Sequence, residues 1–249
     1  MKIALAFFGL PRCSRVTFDS IRRNLIEPLA GWGELHVFYH FMQQDHVRNS
    51  SSGEDHALSP DNYTPFLQFQ GVTEPPEGIL PRSPLVELAK FGDAWGDGFQ
   101  SLRNLMLQLH SVHEVHQMAK ACEPDAYVFA RPDLLYHDAV RRSEIERAAA
   151  EPKALLVPGW QWWHGGYNDR FAICGRIAAN AYAQRKYVAL PYCRKMTHPL
   201  HSERLLRAIA NGERLDVQPI PLRASRVRVT GAIEPEIFTR SGKKDPPGP

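Results

Sequence analysis

The chain has 249 residues, 43% of them hydrophobic and 23% charged, a balance that excludes disordered, fibrous and membrane-embedded classes. Its formal net charge of +3 is too small a basic excess for a general nucleic-acid binder. The total conceals an asymmetry, because residues 1–125 carry 10 basic and 15 acidic side chains and residues 126–249 carry 20 and 12, so an anionic ligand is expected on the second half.

The run Ile3–Phe8 has strand length and leads into the loop Gly9-Leu10-Pro11-Arg12, which predicts a buried strand of an α/β protein. It is too short for a signal-peptide core and ends in a basic loop instead of a cleavage site, so a cytoplasmic protein is expected. Apolar residues recur at helical spacing from Ser14 to Leu29, and Leu35–Tyr39 reads as a second strand, giving a β-α-β unit. Residues 41–65 are polar and rich in Ser, Asp and Asn, and predict a long mobile loop. Phe66–Gln70 reads as a third strand, and a helix over Phe99–Ala121 follows a proline-rich connection. Strands are expected at Ala126–Ala130, Ala154–Val157, Phe171–Cys174 and near Val217 and Val227–Val229. Helices are expected over Val140–Ala150, Arg176–Tyr187 and His201–Ala210. The pattern predicts one compact domain over residues 1–239 and a disordered tail at 240–249, where three prolines and two glycines cluster. The four cysteines are widely separated and form no Cys-x-x-Cys pair, so reduced thiols are expected.

Four segments carry chemistry. Gly9-Leu10-Pro11-Arg12 precedes a helix, where backbone N–H groups together with Arg12 and Arg15 suit a phosphate; a plain β-α turn with solvated arginines reads equally well. Arg131-Pro132-Asp133 sits at the carboxyl end of a buried strand, where open α/β sheets bind ligands. Arg131 suits a diphosphate and Asp133 a hard divalent cation, unless the pair merely closes a turn. The stretch Trp160–Arg170 offers flat apolar faces and directional polar groups for a sugar, with Trp162, Trp163, His164, Asn168 and Arg170 as candidates; the alternative is that its tryptophans seal the sheet end. His201-Ser202-Glu203 either caps the last helix or supplies a carboxylate base. His110, His113 and His116 recur at steps of three on one helix, but His116 falls on the apolar stripe and Glu114 is the one acid beside them, so a metal there is not favoured.

In this order, Ile3–Arg12, Leu35–His40, Tyr127–Tyr136, Tyr167–Gly175 and His201–Leu206 resemble bacterial polysaccharide and lipopolysaccharide glycosyltransferases of the GT-A type. The resemblance implies one Rossmann-like domain, a mixed and mostly parallel sheet flanked by helices, and a sugar moved from a nucleotide-sugar donor to a glycan, lipid-linked or other small acceptor. It implies that Gly9, Pro11 and Arg12 lie near the nucleotide, Arg131 and Asp133 near the diphosphate, and Asn168, Asp169 and the Trp-rich loop near the sugars. Such enzymes usually carry an Asp-x-Asp pair for Mn²⁺ or Mg²⁺, whereas Arg131-Pro132-Asp133 holds one acid; a cation on Asp133 is therefore in doubt and Arg131 is expected to replace part of its charge. For an inverting transfer the base is Asp169 or Glu203, with His201 among the acceptor-side residues. The basic second half also suits peripheral contact with the inner membrane face. A sulfotransferase is the alternative, since GLPRCSRVT also resembles a phosphosulfate-binding loop; against it, Ala139 stands eight residues after Arg131 where that family has Ser, and Arg15-Val16 replaces its Gly-Thr step. A non-catalytic nucleotide- or sugar-binding protein is the third reading.

Overall fold

The computed structural model describes residues 1–49 and 53–241. Among them, seven strands form one sheet in the order β10-β8-β9-β6-β1-β2-β5: β1 (Lys2–Gly9), β2 (Glu34–Met42), β5 (Gln70–Glu74), β6 (Ala126–Ala130), β8 (Ala154–Pro158), β9 (Phe171–Cys174) and β10 (Asp216–Ile220). Every pairing is parallel except those of β9, which runs antiparallel to both β6 and β8. The fold is thus a single α/β domain with a mixed, mostly parallel sheet flanked by helices.

Alternation along β1 explains the two layers. Ile3, Leu5 and Phe7 face one side, where Ile21, Leu25 and Leu29 of the long helical segment 14–32 and Ile145 of α5 (Arg142–Ala150) cover them. Ala4, Ala6 and Phe8 face the other, under Val112 and Val115 of α4 (Gln100–Lys120), Tyr182 of α6 (Arg176–Ala183) and Leu206 of α8 (Ser202–Gly212). Segment 14–32 comprises α1 (Ser14–Ile21), a π-helical turn at Arg22–Ile26 and α2 (Glu27–Trp32). Pro28 has no N–H for the carbonyl of Asn24, and that carbonyl instead accepts from Val140 N at 3.0 Å while the Asn24 side chain donates to Tyr136 O at 2.7 Å. The departure from α-geometry thereby ties the helix to the chain beyond β6. A smaller apolar cluster joins α4 and α8 to α3 (Leu85–Ala89) and α7 (Arg185–Met196).

Several expectations are corrected. Residues 41–65 are not a featureless loop: β3 (His46–Asn49) and β4 (Glu54–Ala57) pair antiparallel, residues 50–52 lying outside the described residues, and two 3₁₀ turns follow at Pro60–Asn62 and Thr64–Phe66. The third sheet strand is Gln70–Glu74 instead of Phe66–Gln70, because Phe66 leaves the sheet to fill a core niche, fully buried among Phe7, Phe18 and Phe41 at ring separations of 5.0–5.3 Å. The helix expected over Arg176–Tyr187 is two helices that together reach Met196. Near the C-terminus β11 (Ala224–Arg226) pairs with β7 (Leu134–Tyr136), upstream of the expected Val227–Val229. The expected tail at 240–249 lies outside the described residues apart from Arg240 and Ser241. The four cysteines are free thiols, and no helix among the described residues is long and apolar enough to cross a membrane.

Phe66→Ala is expected to cost about 3–5 kcal/mol, as for a buried aromatic in a packed core. Urea denaturation measures it; a loss below 1 kcal/mol would return this turn to the status of surface loop.

Candidate functional site

Strand β1 passes to β2 through helices on one face, and β5 passes to β6 through helices on the other, so connections diverge between β1 and β6. At that divergence the carboxyl ends of parallel strands leave a crevice. Gly9 ends β1 with φ +99°, a conformation open to glycine, and its N–H donates to Ser111 Oγ of α4 at 2.8 Å. The Arg131-Pro132-Asp133 turn after β6 is fixed at all three carbonyls, which accept from Tyr136 Oη, Thr17 Oγ1 and Val227 N at 3.1, 2.8 and 2.9 Å.

Asp133 is 1% exposed, and Arg131 binds it in a two-pronged fork, Nε to Oδ1 at 2.8 Å and Nη2 to Oδ2 at 2.6 Å. Arg12 Nε stands 3.5 Å from the same Oδ2. Burial alone would raise this carboxyl, but Arg131 and Arg12 outweigh it and hold the group at about 2. The remaining donors reach further acids. Arg12 and Arg228 both donate to Glu54 of the β3–β4 pair, at 3.1 and 2.9 Å, and Arg226 and Arg170 both reach Glu236, at 2.8 and 3.4 Å. Segment 224–236 thus closes over the turn and brings Arg226 and Arg228 beside Arg12 and Arg131. Burial and neighbouring guanidiniums push Arg12 below its usual range and Arg170 down to about 10. An anion placed here would relieve both.

The Trp-rich loop forms the opposite wall. Its backbone is held by α8: Tyr167 N donates to Glu203 O at 3.1 Å, and Gly166 packs so closely that a Cβ would lie 2.2 Å from the Glu203 carbonyl carbon. Gln161 and His164 take φ of 49° and 52°, an unusual backbone held by bonds from Gln161 N to Thr239 O and from Arg207 to Gly165 O. Trp95 stacks on His201 (5.4 Å, 18°), whose ring meets His164 edge-on at 4.4 Å. Asp169 is 4% exposed; its Oδ2 accepts from Gln108 at 3.0 Å, Arg185 at 3.3 Å and Ser202, and these contacts, Arg185 first, overcome burial and hold it below the carboxylate range. Gln108 also accepts from Arg131 at 3.1 Å, linking the two walls. Glu203 has one close partner, His201 Nδ1 at 3.0 Å, and that contact is not aligned as a hydrogen bond.

These groups surround a cleft of about 1060 Å³. Of the residues expected from sequence, Gly9, Arg12, Arg131, Trp163, His164, Asp169, Arg170, His201 and Glu203 line it together. Others stand apart. Pro11 is buried, and Arg15 is exposed with a single bond to Thr230 O. Asn168 is 2% exposed and braces the loop through Trp160 O and Arg170 N. Trp162 is held by Pro158 O, with Arg240 stacked 4.0 Å over its ring. Asp133 lies beneath the cleft, both oxygens engaged by Arg131, so the donor set does not fit a cation at that carboxylate. Sequence reasoning missed Arg226, Arg228, Glu54, Gln108 and Trp95; the signal for the first two was the alternation Arg226-Val227-Arg228, which puts both arginines on one side of a segment whose Val227 is buried. Among the described residues seven arginines and no lysine line the cleft.

No protein-family model matches the chain, and no curated protein matches it. Among solved structures the chain is similar to mouse xyloside xylosyltransferase 1 in its apo form, at 13% identity and TM-score 0.49 over 88% of this chain and 85% of that one. It is also similar to the galactosyltransferase LgtC in complex with donor and acceptor sugar analogues, at 11% identity and TM-score 0.42 over 85% and 70%.

Asp133→Asn strips the counter-charge from Arg131 and Arg12 and is expected to destabilise the fold by about 3–5 kcal/mol. Because the folded carboxyl titrates below its ordinary value, its contribution is whole above about pH 4 and fades as pH falls towards 2. Urea melts from pH 7 to pH 2 should therefore show the mutant converging on wild type in acid; parallel curves would remove Asp133 from the lattice.

Proposed function

We propose that the cleft binds a nucleotide-sugar donor and transfers its sugar to a hydroxyl of a glycan, lipid-linked or other small acceptor. The observation that supports this most is the meeting of Arg12, Arg131, Arg170, Arg226 and Arg228 at the strand-end crevice, with aromatic rings opposite. Planar guanidiniums bind phosphate oxygens in pairs, and the five guanidiniums outnumber the carboxylates of Glu54, Asp133 and Glu236 that hold them, which leaves positive charge for a diphosphate. The rings of Trp163, His164, His201 and Trp95 offer stacking faces for sugars. The cleft volume stands at the upper end of small-molecule sites, about 300–1,000 Å³.

In this reading the acceptor oxygen attacks the anomeric carbon, the bond from that carbon to the diphosphate breaks, and its electron pair leaves on the phosphate oxygen. Arginines stabilise the charge that develops there, the part a cation otherwise plays. The acceptor proton goes to Glu203, at the first turn of α8 and free of strong donors, while Asp169 orients Gln108 and Ser202. Asp169 is the weaker base because three donors already hold it in the ionised form. A lipid-linked acceptor, as in surface polysaccharide synthesis at the inner membrane face, would be met peripherally; Tyr187 and Met196 of α7 stand exposed beside Arg194 and Lys195.

Thermal-shift screening against UDP-, GDP-, CMP- and TDP-sugars should find one that stabilises the fold without Mn²⁺, through linkage. Stabilisation by adenosine 3′-phosphate 5′-phosphosulfate alone would overturn the reading in favour of sulfuryl transfer. Arg226→Ala is expected to weaken donor binding by about tenfold, the loss of one charge-assisted contact. Glu203→Gln should bind donor normally and lose transfer by about 10²–10⁴-fold. Normal turnover in that variant would exclude Glu203 as base.

A further inference from the structure

His40 at the end of β2, Glu74 at the end of the edge strand β5 and His110 on α4 converge outside the cleft. His40 Nε2 and His110 Nε2 approach the same oxygen, Glu74 Oε2, at 3.3 and 2.7 Å, and the three donor atoms lie within 4.8 Å of one another. We propose that this is a zinc-class metal site, with His40, Glu74 and His110 as the protein ligands and solvent in the remaining position.

The donor chemistry selects the metal. Two imidazoles and one carboxylate suit Zn²⁺ and its first-row neighbours, whereas Mg²⁺ and Mn²⁺ prefer oxygen sets. Tetrahedral zinc with bonds of about 2.0–2.1 Å separates its ligand atoms by roughly 3.3 Å. The His40–Glu74 spacing already meets that distance, and the His110–Glu74 contact must open by about 0.6 Å, within reach of rotations of partly exposed side chains. His40 is buried, and its Nε2 already faces the Glu74 oxygen that His110 approaches from the other side. When Nε2 of His110 binds a metal, its Nδ1 proton needs an acceptor, and Glu114 Oε1 lies 3.7 Å away. Three features limit affinity: Lys186 donates to Glu114 at 3.0 Å and competes for it, its ammonium also stands 3.4 Å from His110 Nδ1 and opposes a proton there, and His40 Nδ1 is buried without a hydrogen-bond partner. Micromolar affinity is therefore expected.

Such a metal would brace the sheet edge to α4, the helix that presents Gln108 to Arg131 and Asp169 and Ser111 to Gly9. It is separate from the arginine lattice, and the inference does not depend on the proposed transfer. The test uses tag-free, EDTA-dialysed full-length protein titrated calorimetrically with ZnCl₂, CoCl₂ and MgCl₂, with the visible d–d absorption of Co²⁺ reporting the ligand geometry. One Zn²⁺ per chain, a tetrahedral-type Co²⁺ spectrum and no Mg²⁺ binding are expected. His110→Ala and Glu74→Gln should each weaken Zn²⁺ binding by roughly 100-fold or more, while His113→Ala and His116→Ala, on the same helix but outside the cluster, leave it unchanged. Circular dichroism and urea denaturation establish that each variant is folded. Absence of Zn²⁺ binding by the wild type, or binding that survives both His110→Ala and Glu74→Gln, would overturn the proposal.

Discussion

A carboxylate withdrawn from water has to be neutralised where it sits, and Asp133 sits under the floor of the cleft. Its two oxygens take the fork of Arg131, which leaves Arg12 to share itself between Asp133 and Glu54, and Arg228 to complete Glu54. Each neutralisation thus creates a demand met by the next residue through three guanidiniums, and Arg226 and Arg170, paired on Glu236, face the same space. The lattice contributes rigidity more than stability: buried ion pairs often do no better than apolar packing of equal volume, but their geometry is specific. On the proposed reading, a site that orients a diphosphate benefits from that specificity.

The two walls differ in how they are held. On the basic side, side chains bond to side chains above a turn whose three carbonyls are also held. On the aromatic side the backbone itself is fixed: Gly166 lies against the Glu203 carbonyl, and Gln161 and His164 hold positive φ angles. Gln108, bonded to both Arg131 and Asp169, touches the two systems, and so does Glu236, which accepts from Arg226 and from Gln161 of the loop. A movement of α4 would therefore be felt on both sides of the cleft.

Legibility in the sequence followed the range of the forces involved. Strands β1, β6 and β9 are short apolar runs buried on both faces, and their patterns alone identify them. The β3–β4 pair is polar and exposed; Glu54 draws its anchorage from Arg12 and Arg228, the latter 174 residues away, so no local pattern announces it. Phe66 was recognisable as apolar, but only the ring niche of Phe7, Phe18 and Phe41 assigns it to a turn instead of a strand. The same limit applies to Asp133. An Arg-x-Asp sequence is compatible with a ligand site and with a closed ion pair, and the difference is made by burial and by Arg12, neither of which is encoded next to it. Arg12, Arg131 and the Trp-rich loop were found because strand ends and glycine-rich turns mark where a sheet opens.

The closing segment 224–236 has a consequence in time as well as space. Arg226, Arg228 and Glu236 reach partners made far earlier in the chain, including Glu54 and Arg170. Contacts of such sequence separation cannot form until residues 224–236 have been made, after every strand of the sheet that receives them. During synthesis the first 220 residues can therefore assemble most of a layered core whose arginine lattice is still open. A truncation before Ala224 would leave most apolar packing in place while Glu54 and Arg170 lost their late-arriving partners, so a packed core with an unclosed lattice is built into the order of the chain.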